Sequence, residues 1–303
     1  MRRLRDPHRP HRPHRPHRRA SSGAGWVALG RALRAACAGC VLGLALAGAA
    51  AAHDTWFAAL APTARGEPVF ALGTGDRFPL HQSPIAMGAL AGSGCRTDGG
   101  RAMGMRWVAD RPQALVLRAA RAVPAGQALS CWARLAPHEV EIDDATVELY
   151  FAEIHALPAV RERWATLRAG GQRWRETYVK NARIEAFAEA DADDLPVATT
   201  ALPDLVLDVR LEAPRRPLRA GDPLRWQVLR DGQPLAGLPV ELRSDLSPVG
   251  IWRMTDADGR VELSLPLAAR WILRATDLRP AADGSARWES QFVTLAFDVL
   301  ARP

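Results

Sequence analysis

A histidine at a free amino terminus is a ready-made metal chelate. Its α-amine and its own Nδ1 close one ring around a cation, a donor pair that suits Cu(II) or Ni(II), and a second imidazole completes a three-nitrogen, tetragonal set. His53 becomes such a residue if the chain is cut after Ala52. The chain beyond it offers His81, His138 and His155 as the second imidazole, and no H-x-x-x-H spacing selects among them. His81 is the first choice, because Phe78-Pro79-Leu80-His81 is loop-like and follows the Gly75 turn, whereas His155 falls on an expected helix. Asp54 can add a carboxylate or orient the ring, so the expected metal set is His53, His81 and Asp54. The plainer reading makes His53 a polar residue at a frayed end and Trp56 and Phe57 the anchors of a first strand.

The cut has its own signature. Residues 35 to 52 are almost all Ala, Gly, Leu, Val and Cys, they follow Arg31 and Arg34, and Ala50 and Ala52 form the small pair of an A-x-A cleavage site. The run falls short of the ~20 apolar residues of a membrane span, and His53-Asp54-Thr55-Trp56 follows it where a stop-transfer cluster would be basic. Residues 1–52 are therefore expected to be a signal peptide with a basic leader, and the protein to be periplasmic with no stable membrane anchor after cleavage. Cys37 and Cys40 stand before or early in the apolar run, where a lipid-bearing cysteine would follow it. The His-Arg-Pro repeat from His8 to Arg18 is a low-complexity tract that cannot bury a core.

The leader also carries the basicity. The whole chain has 40 basic and 33 acidic residues; ten arginines and one acid lie in residues 1–52, leaving 30 against 32. A nucleic-acid partner, which needs a basic stripe on the folded domain, is not expected.

Beyond the leader only Cys95 and Cys131 remain. In an oxidising compartment they are the available pair, and a bridge across a loop of roughly 35 residues contributes on the order of 3 to 4 kcal/mol by the chain-entropy model. Short β-prone runs at Glu67–Gly75, Arg106–Ala109, Gln113–Arg118 and Gln127–Arg134 indicate a first sandwich. Helical spacing then takes over from Asp143 to Leu157, with Asp143 or Asp144 as N-cap, and Pro158 opens a second helix that stops at Gly170-Gly171. Seven further strand patterns between Leu205 and Val299, parted by turns such as Arg230-Asp231-Gly232, fit an immunoglobulin-like sandwich. The expected fold is mainly β: two β-sandwich domains, residues 53–190 with a short helical insertion and 205–303, joined by an acidic linker at 191–204.

The segments Ala52–Phe57, Gly75–Pro79, His138–Ile142, Tyr150–Ile154 and Arg173–Lys180, in that order, resemble the domain-of-unknown-function 4198 family (DUF4198) of exported bacterial proteins. Gln233–Val240 and Thr255–Arg260 are similar to that family's carboxypeptidase-regulatory-like sandwich. The resemblance implies a periplasmic, β-rich protein associated with nickel or cobalt uptake, and no established reaction. With it, the expected cofactor is one divalent transition-metal ion, nickel, cobalt or copper, and the expected partner a membrane metal transporter. No Gly-x-Ser-x-Gly, His-Glu-x-x-His or Walker loop occurs, so no enzyme is expected. Glu139 and Glu141 read as a solvated edge, and the tryptophans first as core. The alternative function is a structural or adhesive module that binds protein or glycan without metal.

Overall fold

Alternating apolar residues bounded by glycine, proline and aspartate produce strands through most of the chain. The computed structural model describes residues 53–98, 100–124, 127–187, 197–202, 204–215 and 217–302. The leader, the cleavage site, Cys37, Cys40 and the acidic residues 189–194 lie outside the described residues. The first part contains β1 (Asp54–Leu60), β2 (Val69–Gly75), β3 (Ser83–Pro84), β4 (Leu90–Thr97), β5 (Ala102–Arg111), β6 (Ala114–Ala119), β7 (Ala128–Leu135) and β8 (His138–Ile142). Helices α1 (Asp144–Glu153) and α2 (Pro158–Ala169) follow, then the long strand β9 (Trp174–Phe187). The second part contains β10 (Val197–Ala198), β11 (Leu207–Ala213), β12 (Pro223–Arg230), β13 (Gln233–Pro234), β14 (Pro239–Ser244), β15 (Ile251–Met254), β16 (Arg260–Ser264), β17 (Ala269–Pro280) and β18 (Trp288–Val299). The protein is mainly β, with the helical pair inserted between β8 and β9.

The helices form where the sequence places them, for local reasons. Asp143 caps α1 by accepting the Thr146 amide at 2.8 Å, which holds its carboxyl below the ordinary range. Pro158 occupies the first turn of α2, where its missing N–H costs nothing. Val147, Tyr150, Phe151 and Trp164 turn inward onto Trp174 and Trp288, making a separate aromatic core over one end of the sheet. Among the described residues, no helix is long and apolar enough to cross a membrane.

One sheet runs β1-β2-β6-β5-β4-β7-β9-β18-β17-β14-β15, and a second pairs β10, β11, β12, β13 and β16. Among the described strands every pairing is antiparallel except that of β9 with β18, which is parallel from Glu176–Trp288 to Ile184–Ala296. This pair joins the first strand-rich stretch to the second. Along β18, Val293, Leu295, Phe297 and Val299 enter a core closed by β11, β12 and β14, while Ala296 on the other face joins Trp56, Phe57, Phe70 and Leu72. Around β18 the sheet is thus buried on both faces.

Cys95 and Cys131 sit directly opposite each other on β4 and β7 and are bonded, with Cα atoms 4.0 Å apart and both residues buried. Peptide cleavage within residues 188–196 should leave the two products together, because the β9–β18 ladder and the cores on both its faces survive the cut. Gel filtration of nicked protein without denaturant should give one peak at the intact size; two separating fragments would show that the ladder does not hold them.

Candidate functional site

The site grows from the way β1 crosses the large sheet. β1 pairs only with β2, Asp54 opposite Gly75 and Leu60 opposite Val69, and its other side lies over β9 and β18. Trp56 and Phe57 are both buried, so the strand is covered on both faces. The register places Asp76 next to His53, and the His53 Nε2 lies 3.1 Å from Asp76 Oδ1. Lys180 of β9 donates to the His53 carbonyl. The Thr294 hydroxyl of β18 donates to the Thr55 carbonyl at 2.6 Å. Asp54 Oδ2 accepts from Arg274 Nη1 at 2.8 Å, and the same guanidinium pairs through Nε with Glu241. Four contacts therefore fix the start of β1 on its neighbours.

Cross-strand neighbours explain why these groups meet. Lys180 is opposite Phe292, Phe292 opposite Thr276, Arg274 opposite Glu241, and Glu241 opposite Trp252. They share one sheet face, at the seam between β1 and the helical pair. Lys180 lies against the rings of Tyr178 and Phe292, at 5.3 and 5.8 Å from their centroids. Burial lowers its pKa, with the charges of Asp54 and Glu176 pulling the other way. Burial also opposes the charge on Arg274, but Asp54 and Glu241 outweigh it and hold the guanidinium above its ordinary value. A second cluster lies further along β9. Burial raises the Glu176 carboxyl although the Tyr150 hydroxyl, the Ser290 hydroxyl and the Trp174 indole N–H all donate to it.

The structure brings His53 to Asp76. It takes His81 elsewhere. The His81 ring stacks on Trp56 at 5.4 Å, and its Nε2 lies 3.1 Å from the Trp56 carbonyl, three residue pairs along the ladder from His53, or ~10 Å. A carbonyl only accepts, so Nε2 carries the proton, and burial lowers the pKa of the ring against the opposing effect of that bond. Gly73 makes the seat, since a Cβ there would lie 2.6 Å from the imidazole. Asp54 is committed to Arg274. His138 packs on Tyr178 at 5.2 Å, and His155, with φ 50°, stacks on Trp252 at 3.6 Å. Among the described residues no three His, Cys, Asp or Glu side chains gather as a metal cage. Asp76, Lys180 and Arg274 carry the site without having been singled out in the sequence. Asp76 stood in the sequence only inside the Gly75–Pro79 segment of the family resemblance; the β1–β2 register is what gives it a role.

No family model matches the chain, and no curated protein does. Among solved structures, the D0-D1 domain of Intimin aligns at 10% identity over 81% of this chain and 98% of that one, with a TM-score of 0.20. A superposition that loose carries no argument, and the fold rests on the pairings described above.

Two outcomes follow from these environments. Arg274→Met leaves Asp54 and Glu241 facing each other without their shared cation, so urea unfolding should show a loss of ~3–5 kcal/mol, with Asp54→Asn in the same chain restoring part of it. A neutral change would mean that the ion pair is solvated. The depressed His81 pKa makes the unfolded state the stronger proton binder as pH falls below ~6.5, so the stabilisation present above that pH is lost towards the lower folded value. Stability from pH 7 to pH 5 should therefore fall more steeply in the wild type than in His81→Gln; parallel curves would contradict this.

Proposed function

We propose that the protein is an exported carrier or presenter of a divalent transition-metal ion, nickel, cobalt or copper, held at the amino terminus created by cleavage before His53. The observation that supports this is the placement of Asp76 on His53 Nε2. A carboxylate on one imidazole nitrogen fixes the tautomer that leaves the lone pair on the other, the arrangement common behind metal-ligating histidines. Nδ1 is the nitrogen that forms a chelate ring with the α-amine. The Lys180 bond to the His53 carbonyl adds a second restraint on the same residue.

The residues fit a two-nitrogen chelate oriented by Asp76. They do not fit the fuller set of His53, His81 and Asp54, because His81 is held at Trp56 and Asp54 by Arg274. A chelate with so few protein donors suits a metal that is handed on, in keeping with a periplasmic accessory to a membrane metal transporter. Nothing in the arrangement calls for a chemical step.

Amino-terminal sequencing should find His53 first, and calorimetry with Cu(II) or Ni(II) should show one site per chain. An alanine placed before His53 should abolish the tight phase, and Asp76→Asn should weaken it by about 10 to 100-fold. Equal affinity in the extended chain, the Asp76→Asn chain and the wild type would sink the terminal chelate and favour the metal-free binding module.

A further inference from the structure

Among the described residues, no strand pairs with the outer edge of β1 at its other end. Beside it lies a cleft of about 520 Å³, within the usual size of ligand sites, bordered by Phe57, Ala58 and Ala59 of β1, Ala296 of β18, Arg219 and Arg270. Its floor is the face of β17 and β18 that β1 leaves uncovered. Ala296 and Asp298 share that face with Arg270, which is opposite Asp298. The small side chain at Ala296 keeps the space open.

The hydrogen-bond pattern shows what the edge presents. The Ala119 N–H donates to the Pro68 carbonyl at 2.9 Å, so the even-numbered residues of β2 point to β6 and the odd-numbered ones to β1. Gly73 and Ala71 therefore bond Trp56 and Ala58, while Thr55, Phe57 and Ala59 turn their backbone groups away from β2. The Thr55 carbonyl is met by Thr294. Among the described residues, none donates to or accepts from the outward groups of Phe57 or Ala59. Phe57 is fully buried, so of the two it is the exposed Ala59 whose backbone groups can be reached from the cleft. A strand edge with no partner among the described residues, beside a floor formed by Ala296 and the facing Arg270 and Asp298, is a place where an extended peptide can add a strand. The cleft also has a cation for a peptide end. Arg270 is committed to Asp245, whereas Arg219 bonds the Ala301 carbonyl and, among the described residues, pairs with no carboxylate.

We propose that this cleft binds the carboxyl-terminal end of an extended polypeptide, its backbone pairing with the exposed Ala59, an apolar side chain resting over Ala296 and its terminal carboxylate at Arg219. The site is separate from the terminal chelate and needs no metal.

The test uses the purified protein and a fluorescein-labelled pool of pentapeptides with Val, Ile, Leu or Phe at alternate positions and free carboxyl ends, read by fluorescence anisotropy. Saturable binding is expected. Ala59→Pro removes the outward N–H without touching the β1–β2 bonds, since proline is tolerated on an edge. It should weaken binding about tenfold, as leaving a hydrogen-bonding partner unmet implies. Ala296→Phe, which fills the floor, should abolish binding. Amidated peptides should bind more weakly than free acids, and Arg219→Gln should remove that difference. Unchanged circular dichroism and melting temperature establish that each variant folds; if Ala296→Phe does not, Ala59→Pro still decides. No saturable signal from the pool, or binding that survives Ala59→Pro, overturns the proposal. Equal affinity for acids and amides overturns the role given to Arg219.

Discussion

The parallel pairing of β9 with β18 is the constraint from which the rest of the architecture follows. Antiparallel neighbours can be joined by a tight turn, but parallel neighbours need a chain long enough to return to the same end of the sheet. Here the returning chain is itself a sandwich, β10 to β17, so the second lobe serves as the crossover of the first. This leaves β18 in the middle of the sheet, with Val293, Leu295, Phe297 and Val299 in one core and Phe292 and Ala296 in those behind it. The apolar run from Phe292 to Phe297 reflects that position, for a strand covered on both faces has little use for polar alternation.

A charge fixes how the layers meet. Arg183 of β9 is wholly buried; it bonds Glu185 at 2.7 Å, both carboxylate oxygens of Asp208 on β11 at 2.9 and 3.0 Å, and the Ser130 hydroxyl at 3.2 Å. The Leu202 and Val209 amides complete the shell of Asp208. Burial opposes the charge on Arg183, yet Asp208 and Glu185 hold its pKa above the ordinary value. Burial still raises the Glu185 carboxyl despite its partners. Desolvation offsets most of the Coulomb gain in such a group, so a large stabilising contribution is not expected of it. What it does supply is register: the guanidinium fork accepts β11 in one position against β9, and any slip would strand two carboxylates without solvent.

Much of this was legible in the sequence, and the limits have physical causes. Both helices could be read because Asp143 and Pro158 mark their starts and Gly170-Gly171 the end of the second, all local signals. The strands of the second lobe could be read because each lies between turns. The disulfide followed from counting thiols. The parallel ladder left no local trace, since strand patterns do not state which strand is the neighbour. The same applies to the site. Phe78-Pro79-Leu80-His81 was read as a loop, but only the space above Gly73 decides that the imidazole is buried against Trp56. Arg274 looked like any charge in a strand until the register set it between Asp54 and Glu241.

β1 carries the two proposed sites at its opposite ends. Its odd-numbered residues turn their backbone groups away from β2: His53 takes Lys180 and Thr55 takes Thr294, Phe57 is buried, and among the described residues none meets those of the exposed Ala59. Lysine and threonine side chains are long or polar enough to reach a carbonyl across the layer; an alanine is neither. The start of the strand is therefore held on both neighbours, as the proposed terminal chelate requires. Its end keeps the hydrogen-bonding capacity of an unpaired edge, which proteins ordinarily cover with charge, proline or a neighbouring segment. Among the described residues nothing of this kind covers Ala59, and it is there that the proposed peptide would pair.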